Sequence, residues 1–556
     1  MHRVNRRNLL KSAAGAAVAF SLNSGNRDSW GAESMDGPGS ADSVQFQPTW
    51  ESLAQYRVPD WFRDAKFGIW AHWGPQCAPE RGDWYARHMY SQGHPQYESH
   101  IKQYGHPSKF GFKDVIHSWK AEHWDPDALV SLYQRAGARY FFAMANHHDN
   151  LDLWDSAHQP WNSVSVGPQR DIVGGWAAAA RKHGMRFGVS VHAAHAWLWY
   201  ETAQGADREG PLAGVPYDGT LTKESGAGTW WEGLDPQQLY AQSHRPSGNF
   251  QDLSQIHGRW HWTGDGSKPD AAYCESFRRR TVDLIDKYQP DLLYFDDTGL
   301  PLWPISDVGL QIAAHFYNNN MRLHDGRLEA VLFGKILDAQ QRKCMVWDIE
   351  RGASNRIEPF PWQTDTCIGG WHYDRGIYDR RGYKSAATVI HMLADIVSKN
   401  GNLLLNVPVR GDGTIDEQER EVVEGIAAWM QINGEAIYDT RPWTVFGEGP
   451  AIAGAAPLSG QGFNEGRGKA YTAEDVRYTT KGDAIYAILL GVPTEKVVLH
   501  ALGRQAGERT VVRQIQLVGS NEPVEWQQTE AAALIRPPSK FASSHAVAYK
   551  ITPASA

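Results

Sequence analysis

"PDLLYFDDTG", residues 290–299, is a short apolar run that ends in two acids. Leu292, Leu293, Tyr294 and Phe295 lack the polar alternation of a half-solvated strand, so they read as a strand buried on both faces. Asp296 and Asp297 stand where that strand surfaces. Strands of this kind belong to parallel sheets covered by helices, and the surrounding chain repeats the pattern. "KFGIWAHW" (66–73), "YFFAMANHH" (140–148), "RFGVSVH" (186–192), "AVLFGKI" (330–336), "KCMVWDIE" (343–350) and "GNLLLNVPV" (401–409) are further strand candidates. Between them a period near 3.6 predicts helices over 126–137, 171–184, 274–288, 308–323, 385–399 and 417–432. Seven or eight strand–helix units over residues 46–445 fit an α/β fold of the (β/α)8-like TIM barrel type better than an open doubly wound sheet. No G-x-G-x-x-G or G-x-x-x-x-G-K-[ST] follows a strand, which removes the common dinucleotide and P-loop readings.

Two regions break the rhythm. Residues 201–272, with "GTWWEGLDPQ" and "HGRWHWTGDGSKPD", are rich in Gly, Pro, Asp and Trp and read as a long excursion between strand and helix. In a barrel such excursions overhang the active-site mouth. After "GEAIYDTRPW" (434–443) the pattern turns to short alternating runs. "VRYTTKGDAIYAILLG" reads as a hairpin about Lys481-Gly482-Asp483, and "KVVLHAL", "TVVRQIQLVG" and "HAVAYKIT" continue as strands. Residues 446–556 are therefore expected to form a C-terminal antiparallel β-sandwich.

The start, "MHRVNRRNLLKSAAGAAVAFSLN", sets Arg6-Arg7 before a mild Ala-rich apolar stretch too short for a permanent bilayer anchor. Residues 1–32 read as a twin-arginine-type export signal, followed by a polar linker over 33–45. That arrangement implies a periplasmic or extracellular protein with no membrane anchor. A net charge of −8 without any basic block argues against a nucleic-acid partner. Cys77, Cys274, Cys344 and Cys367 include no C-x-x-C pair, so neither a zinc ribbon nor a disulfide framework is expected, and a single bridge stays open. The chain holds 24 Trp, 22 Tyr and 23 His. Flat aromatic faces and neutral rings suit sugar recognition, and Trp equally fills a large barrel core; composition does not choose between them.

Groups at the C-terminal ends of barrel strands face one cleft. Here they are His72, His147-His148-Asp149, His192, Asp296-Asp297, Lys335 and Asp348-Ile349-Glu350. Two acids from different strands among His and Trp suggest glycoside hydrolysis, with one carboxylate attacking the anomeric carbon and another donating a proton to the leaving oxygen. His147 and His148, adjacent on a strand, would chelate one ion poorly, and no H-E-x-x-H spacing occurs. No catalytic metal is expected.

"KFGIWAHWG" (66–74), "DWY" (83–85), "NHHDNLDLWDS" (146–156), "PDLLYFDD" (290–297), "PWQTDTCIGGWHY" (361–373), "VSKNGNLLLNVPVRGDGTI" (397–415) and "INGEAIYDTRPW" (432–443) together resemble the α-L-fucosidases of glycoside hydrolase family 29. The resemblance covers most of the chain and its order of motifs. It implies a retaining exo-acting enzyme with no metal or other cofactor, acting on a fucosylated oligosaccharide or glycoconjugate; the oligomeric state stays open. It places the nucleophile on Asp296, with Asp297 turned to the other face to support a loop or an incoming hydroxyl. The acid/base falls on Glu350, with Glu358 and Asp348 as rivals and Trp347 as an apolar contact that would raise its pKa. Gln363 stands where many members carry a Glu. His72, Asp83, Trp84, His147, His148, Tyr294, Lys335 and Trp371 match the fucose pocket; His192 and His195 align poorly. In a retaining enzyme the two catalytic carboxyls lie roughly 5–5.5 Å apart. The same residues leave two other readings, a related α-L-glycosidase such as an α-L-galactosidase, and a non-catalytic fucose-binding protein.

Overall fold

The computed structural model describes residues 45–554 except 243, 253–255, 263, 265, 459–462 and 506–509. The expected export signal (1–32) and the linker as far as residue 44 lie outside the described residues. Eight parallel strands close a barrel: β1 (Phe67–Ala71), β2 (Tyr140–Asn146), β3 (Arg186–Val191), β4 (Leu292–Thr298), β5 (Val331–Lys335), β6 (Val346–Glu350), β7 (Trp362–Cys367) and β8 (Gly401–Asn406). β8 closes on β1 with Leu403 beside Phe67. Helices Pro126–Arg135, Ile172–Lys182, Ala271–Tyr288, Val308–Leu323, Ala386–Ser398 and Glu417–Asn433 fall where the period predicts them.

Aromatic layers fill the barrel. Phe62 meets Tyr140 and Phe333, Phe142 meets Phe333, and Trp70 lies 5.0 Å from Tyr294 at the upper end. Gly68 makes this possible, because a Cβ there would sit 2.2 Å from the Tyr140 ring. Core filling takes much of the tryptophan: Trp73, Trp119, Trp154, Trp161, Trp176, Trp199, Trp362 and Trp429 are fully buried.

β7 escaped the hydrophobic pattern. Its residues read WQTDTC, four of them polar, yet all six are buried. Each polar side chain has a partner from a distant part of the chain. Tyr140 Oη donates to Gln363 Oε1 (2.9 Å), Gln363 Nε2 to Asp348 Oδ2 (2.8 Å), Thr364 Oγ1 to the Gly352 carbonyl (2.7 Å), Tyr294 Oη to Asp365 Oδ2 (2.8 Å) and Thr366 Oγ1 to Glu465 Oε2 (2.5 Å). Hydrogen bonding offsets the desolvation that would otherwise forbid such a strand.

The C-terminal region is an antiparallel sandwich. A five-stranded sheet of order β13-β16-β11-β10-β9 combines β9 (Arg441–Glu448), β10 (Val476–Lys481), β11 (Ala484–Leu489), β13 (Val512–Leu517) and β16 (Val547–Pro553). It faces a three-stranded sheet of β12 (Val497–Leu499), β14 (Glu525–Gln528) and β15 (Ala533–Arg536), over a separate apolar core. The sheet opens at Arg441, ahead of the expected boundary at 446. Trp429 Nε1 donates to the Ala546 carbonyl (2.9 Å) and Arg477 Nε to Asp395 Oδ1 (2.6 Å), binding sandwich to barrel. The excursion after β3 is pinned by buried acids: Asp218 accepts from Tyr90 (2.7 Å) and Tyr240 (2.5 Å), and Asp207 from Tyr97 and Tyr217. All four cysteines are buried and free. No described helix is long and apolar enough to cross a membrane.

Candidate active site

The strand ends surround a cavity of about 140 Å³ floored by Trp70 and Tyr294. His72, His147 and His192 wall one side; Asp296, Lys335, Glu350 and Asp365 wall the other; Trp84, Trp260, Trp371 and Phe463 stand at the rim. Strand alternation sorts these groups. Tyr294 and Asp296 share the inner face of β4, and Asp348 and Glu350 share that of β6.

Lys335 organises the acidic side. Its Nζ donates to Asp296 Oδ1 at 2.7 Å and to Glu350 Oε2 at 2.5 Å. The two carboxyls therefore face each other across one ammonium, no further apart than two hydrogen bonds. Burial works against charge on all three groups. For Asp296 that penalty is outweighed by Lys335, His148 and His192, which hold its carboxyl well below the usual range. His148 Nε2 and His192 Nδ1 lie 3.4 and 3.3 Å from Asp296 Oδ2. For Glu350, burial prevails: reinforced by Asp365 and Asp296 and only partly opposed by Lys335, it pushes the carboxyl up to about 7. The Asp296 side chain keeps 22% exposure and that of Glu350 18%, so both remain reachable from the cavity. Glu350 closes β6 and Lys335 closes β5; the residues that follow, Arg351 (φ 44°) and Ile336 (φ 53°), turn left-handed. Trp84 (φ 63°) does the same. Non-glycine residues in that region carry strain, and here they mark the rim.

The histidine side is neutral. Burial lowers His72 and His147 far below the ordinary imidazole range, and brings His192 to about 4 despite Asp296. Asn406 Oδ1 accepts from the His72 amide (2.9 Å) while its Nδ2 donates to the Trp371 carbonyl (2.9 Å), so one β8 side chain sets two pocket residues. Gln76 Oε1 accepts from the Ala86 amide, which points its Nε2 at His147 Nδ1 (2.9 Å) and leaves the His147 proton on Nε2. Both His72 nitrogens are buried and have no partner among the described residues, an arrangement suited to hydroxyls that both donate and accept.

A family model described as alpha-L-fucosidase matches residues 37–435, and one for the alpha-L-fucosidase C-terminal domain matches 469–552. The chain belongs to the α-L-fucosidase family, glycoside hydrolase family 29. Among relatives of the family, the tissue alpha-L-fucosidase of Homo sapiens is 25% identical over 542 residues, covering 92% of this chain and 95% of that one. The fold is similar to that of a Thermotoga maritima alpha-L-fucosynthase in complex with alpha-L-Fuc-(1-2)-beta-L-Fuc-N3 (TM-score 0.65, 25% identity, 92% of this chain and 100% of that one). It is equally similar to a T. maritima alpha-fucosidase in complex with a mechanism-based inhibitor (TM-score 0.64, 25% identity, 91% and 100%). The protein is a glycoside hydrolase.

Most of the residues that the fucosidase resemblance singles out meet at this cavity: His72, Trp84, His147, Tyr294, Asp296, Lys335, Glu350 and Trp371 line it. His148 stands just behind, and it turns the same way as His147 because β2 ends at Asn146 and strand alternation ends with it. Asp83 does not line the cavity; its Oδ1 accepts from the His372 amide (2.6 Å) and holds that loop. Asp297, expected on the opposite face, lines the cavity as well, because the β4 register is irregular between Tyr294 and Thr298, and it pairs there with His195 Nε2 (2.7 Å). Glu358 lies outside, bound to Ser354 and Arg356. Asp348 is buried below the floor, not at the mouth. Trp347 does not touch Glu350's side of the sheet. Three residues along a strand reverse the face, and Trp347 carries the Arg342 guanidinium 3.5 Å over its outer surface. The elevation of Glu350 comes from burial and acidic neighbours.

Four groups escaped the motif reading. His192 was poorly aligned, and Asp365 sat on a strand that polarity concealed. Trp260 comes from the 201–272 excursion and stacks on His195 at 3.7 Å. Phe463 comes from the β9–β10 connection, where its amide donates to the Glu350 carbonyl (2.9 Å). Among the described residues two donor sets are compact enough to hold an ion, His72–His147–His192 and His148–His192–Asp296, and each takes only one of the adjacent pair. All members but His148 line the cavity, and the neutral imidazoles fit hydroxyl recognition.

Proposed function

We propose that the protein is a retaining exo-α-L-fucosidase. The observation that carries this reading is the bridge of Lys335 between Asp296 and Glu350, which keeps a carboxyl held low and a carboxyl pushed up no further apart than two hydrogen bonds, and close carboxyls support double displacement. Asp296 attacks the anomeric carbon while Glu350 gives its proton to the glycosidic oxygen; the bond to the aglycone breaks and a fucosyl ester forms. Asp296 loses its charge in this step as Glu350 gains one. Lys335 touches both, so the ammonium keeps one anionic partner throughout. Glu350 then takes a proton from water, which attacks the same carbon, expels Asp296 and releases L-fucose with net retention. His72, His147 and His192 receive the hydroxyls, and the apolar faces of Trp70 and Trp371 receive the ring and methyl group. The alpha-L-Fuc-(1-2)-beta-L-Fuc-N3 bound by the T. maritima fucosynthase supports a fucosylated substrate.

Asp296 must be ionised and Glu350 protonated, so kcat/KM should stay level on the acid side and fall above about pH 7. Proton NMR of an aryl α-L-fucoside reaction should show the α-anomer of L-fucose first. Initial release of the β-anomer would overturn the double displacement, and faster hydrolysis of the matching α-L-galactoside would move the specificity. Residues 1–32, with Arg6-Arg7, support export to the periplasm or beyond; a reporter fused to this segment tests it.

A further inference from the structure

Asp365 on β7, in the cavity wall, and Asp348 on β6, beneath it, are both buried, at 1% and 2% exposure. One oxygen of each is satisfied: Gln363 Nε2 donates to Asp348 Oδ2 and Tyr294 Oη to Asp365 Oδ2, both at 2.8 Å. The remaining oxygens, Asp348 Oδ1 and Asp365 Oδ1, are buried with no donor among the described residues. The two carboxyls are hydrogen-bonding neighbours, and two acceptors cannot bond without a proton between them. Four acids, Asp296, Asp348, Glu350 and Asp365, act on the cation Lys335 at the bottom of the cavity. Two full charges on adjacent carboxylates would be prohibitive there.

We propose that Asp348 and Asp365 share one proton, carried by Asp348, and that the single charge left on Asp365 is the positioning element that keeps Glu350 in its acid form. Burial raises Asp348 far above the carboxylate range, and the Asp365 charge raises it further. Asp365 also adds to the upward push on Glu350. Around the pair stand Tyr140 from β2, Tyr294 and Asp296 from β4, Lys335 from β5 and Glu350 itself from β6; Lys335 is the one cation among these groups. Gln363, held by Tyr140, fixes Asp348 so that its proton faces Asp365. The pair acts as one monoanion and titrates as a unit.

The inference rests on Glu350 as the acid, and the test separates the two. Asp365→Asn removes the charge, so the basic limb of kcat/KM should move down by about one pH unit, roughly tenfold in rate on the alkaline side. An aryl fucoside whose leaving group departs without protonation should not show that shift. Asp348→Asn puts an amide donor where the hydroxyl was and should leave the limb where the wild type has it. A limb unmoved in Asp365→Asn, or moved equally by Asp348→Asn, overturns the proposal. Infrared difference spectra in a Glu350→Gln background read the shared proton directly: Asp348→Asn should remove a protonated-carboxyl band at neutral pH, and Asp365→Asn should shift it. Absence of that band also overturns the proposal. A Glu350→Gln enzyme of normal rate, with the band present, would instead sink the assignment of the acid and its link to Asp365 while leaving the shared proton standing.

Discussion

Two halves of one barrel mouth respond oppositely to the same burial. Along β1–β3 the ionisable groups are His72, His147 and His192, and desolvation strips their charge. Along β4–β7 they are carboxyls ringed about Lys335, and there charge survives where a counter-ion touches it: Asp296 stays an anion, while Glu350, beside two other acids, keeps its proton. Burial penalises any charge, and the partner within reach decides the outcome. Neutral rings that donate and accept suit sugar hydroxyls; a split pair of acids suits bond cleavage.

The contrast breaks most completely at Asp296. Asp296→Gly should cost about 10⁴-fold or more in kcat, and azide should restore part of the rate by attacking from the vacated side to give β-L-fucosyl azide, identified by NMR. Next comes the cation. Lys335→Met removes what holds Asp296 down and what opposes the rise of Glu350, so both pKa values climb and the whole pH profile should move upward. At pH 6 the loss should reach about tenfold or more; an unshifted profile would show that Lys335 does not couple the two acids. On the opposite wall, His72→Phe should lower kcat/KM by about 10–100-fold through lost hydroxyl contacts, about 1–3 kcal/mol, with neither limb displaced. A shifted limb there would mean that the two halves are not separate. Trp260→Ala should have the smallest effect, about threefold in KM for oligosaccharides, and near none for a small aryl fucoside.

Fold and site were unequally legible. Apolar runs marked seven strands, because β1–β6 and β8 are buried through Leu, Ile, Val, Phe and Tyr, and periodicity reports burial of that kind. β7 is buried through hydrogen bonds to Tyr140, Asp348, Gly352, Tyr294 and Glu465, all remote in sequence, and no local pattern records them. The acids at strand ends were visible for the same reason as the strands, since each ends an apolar run.

The sequence by itself determined which strand ends reach the mouth of the barrel, and alternation sets Glu350 against Ile349 once the strands are recognised; at β4 the register shifts after Tyr294, and Asp297 lines the cavity beside Asp296. Only the tertiary structure decided which of them meet. Lys335 bridging Asp296 and Glu350, Trp347 turned outward, Asp83 spent on His372, and Trp260 and Phe463 arriving from an excursion and from the sandwich all depend on long-range closure. A strand's own period states which way a side chain points. It does not state what stands opposite, and charge state depends on what stands opposite.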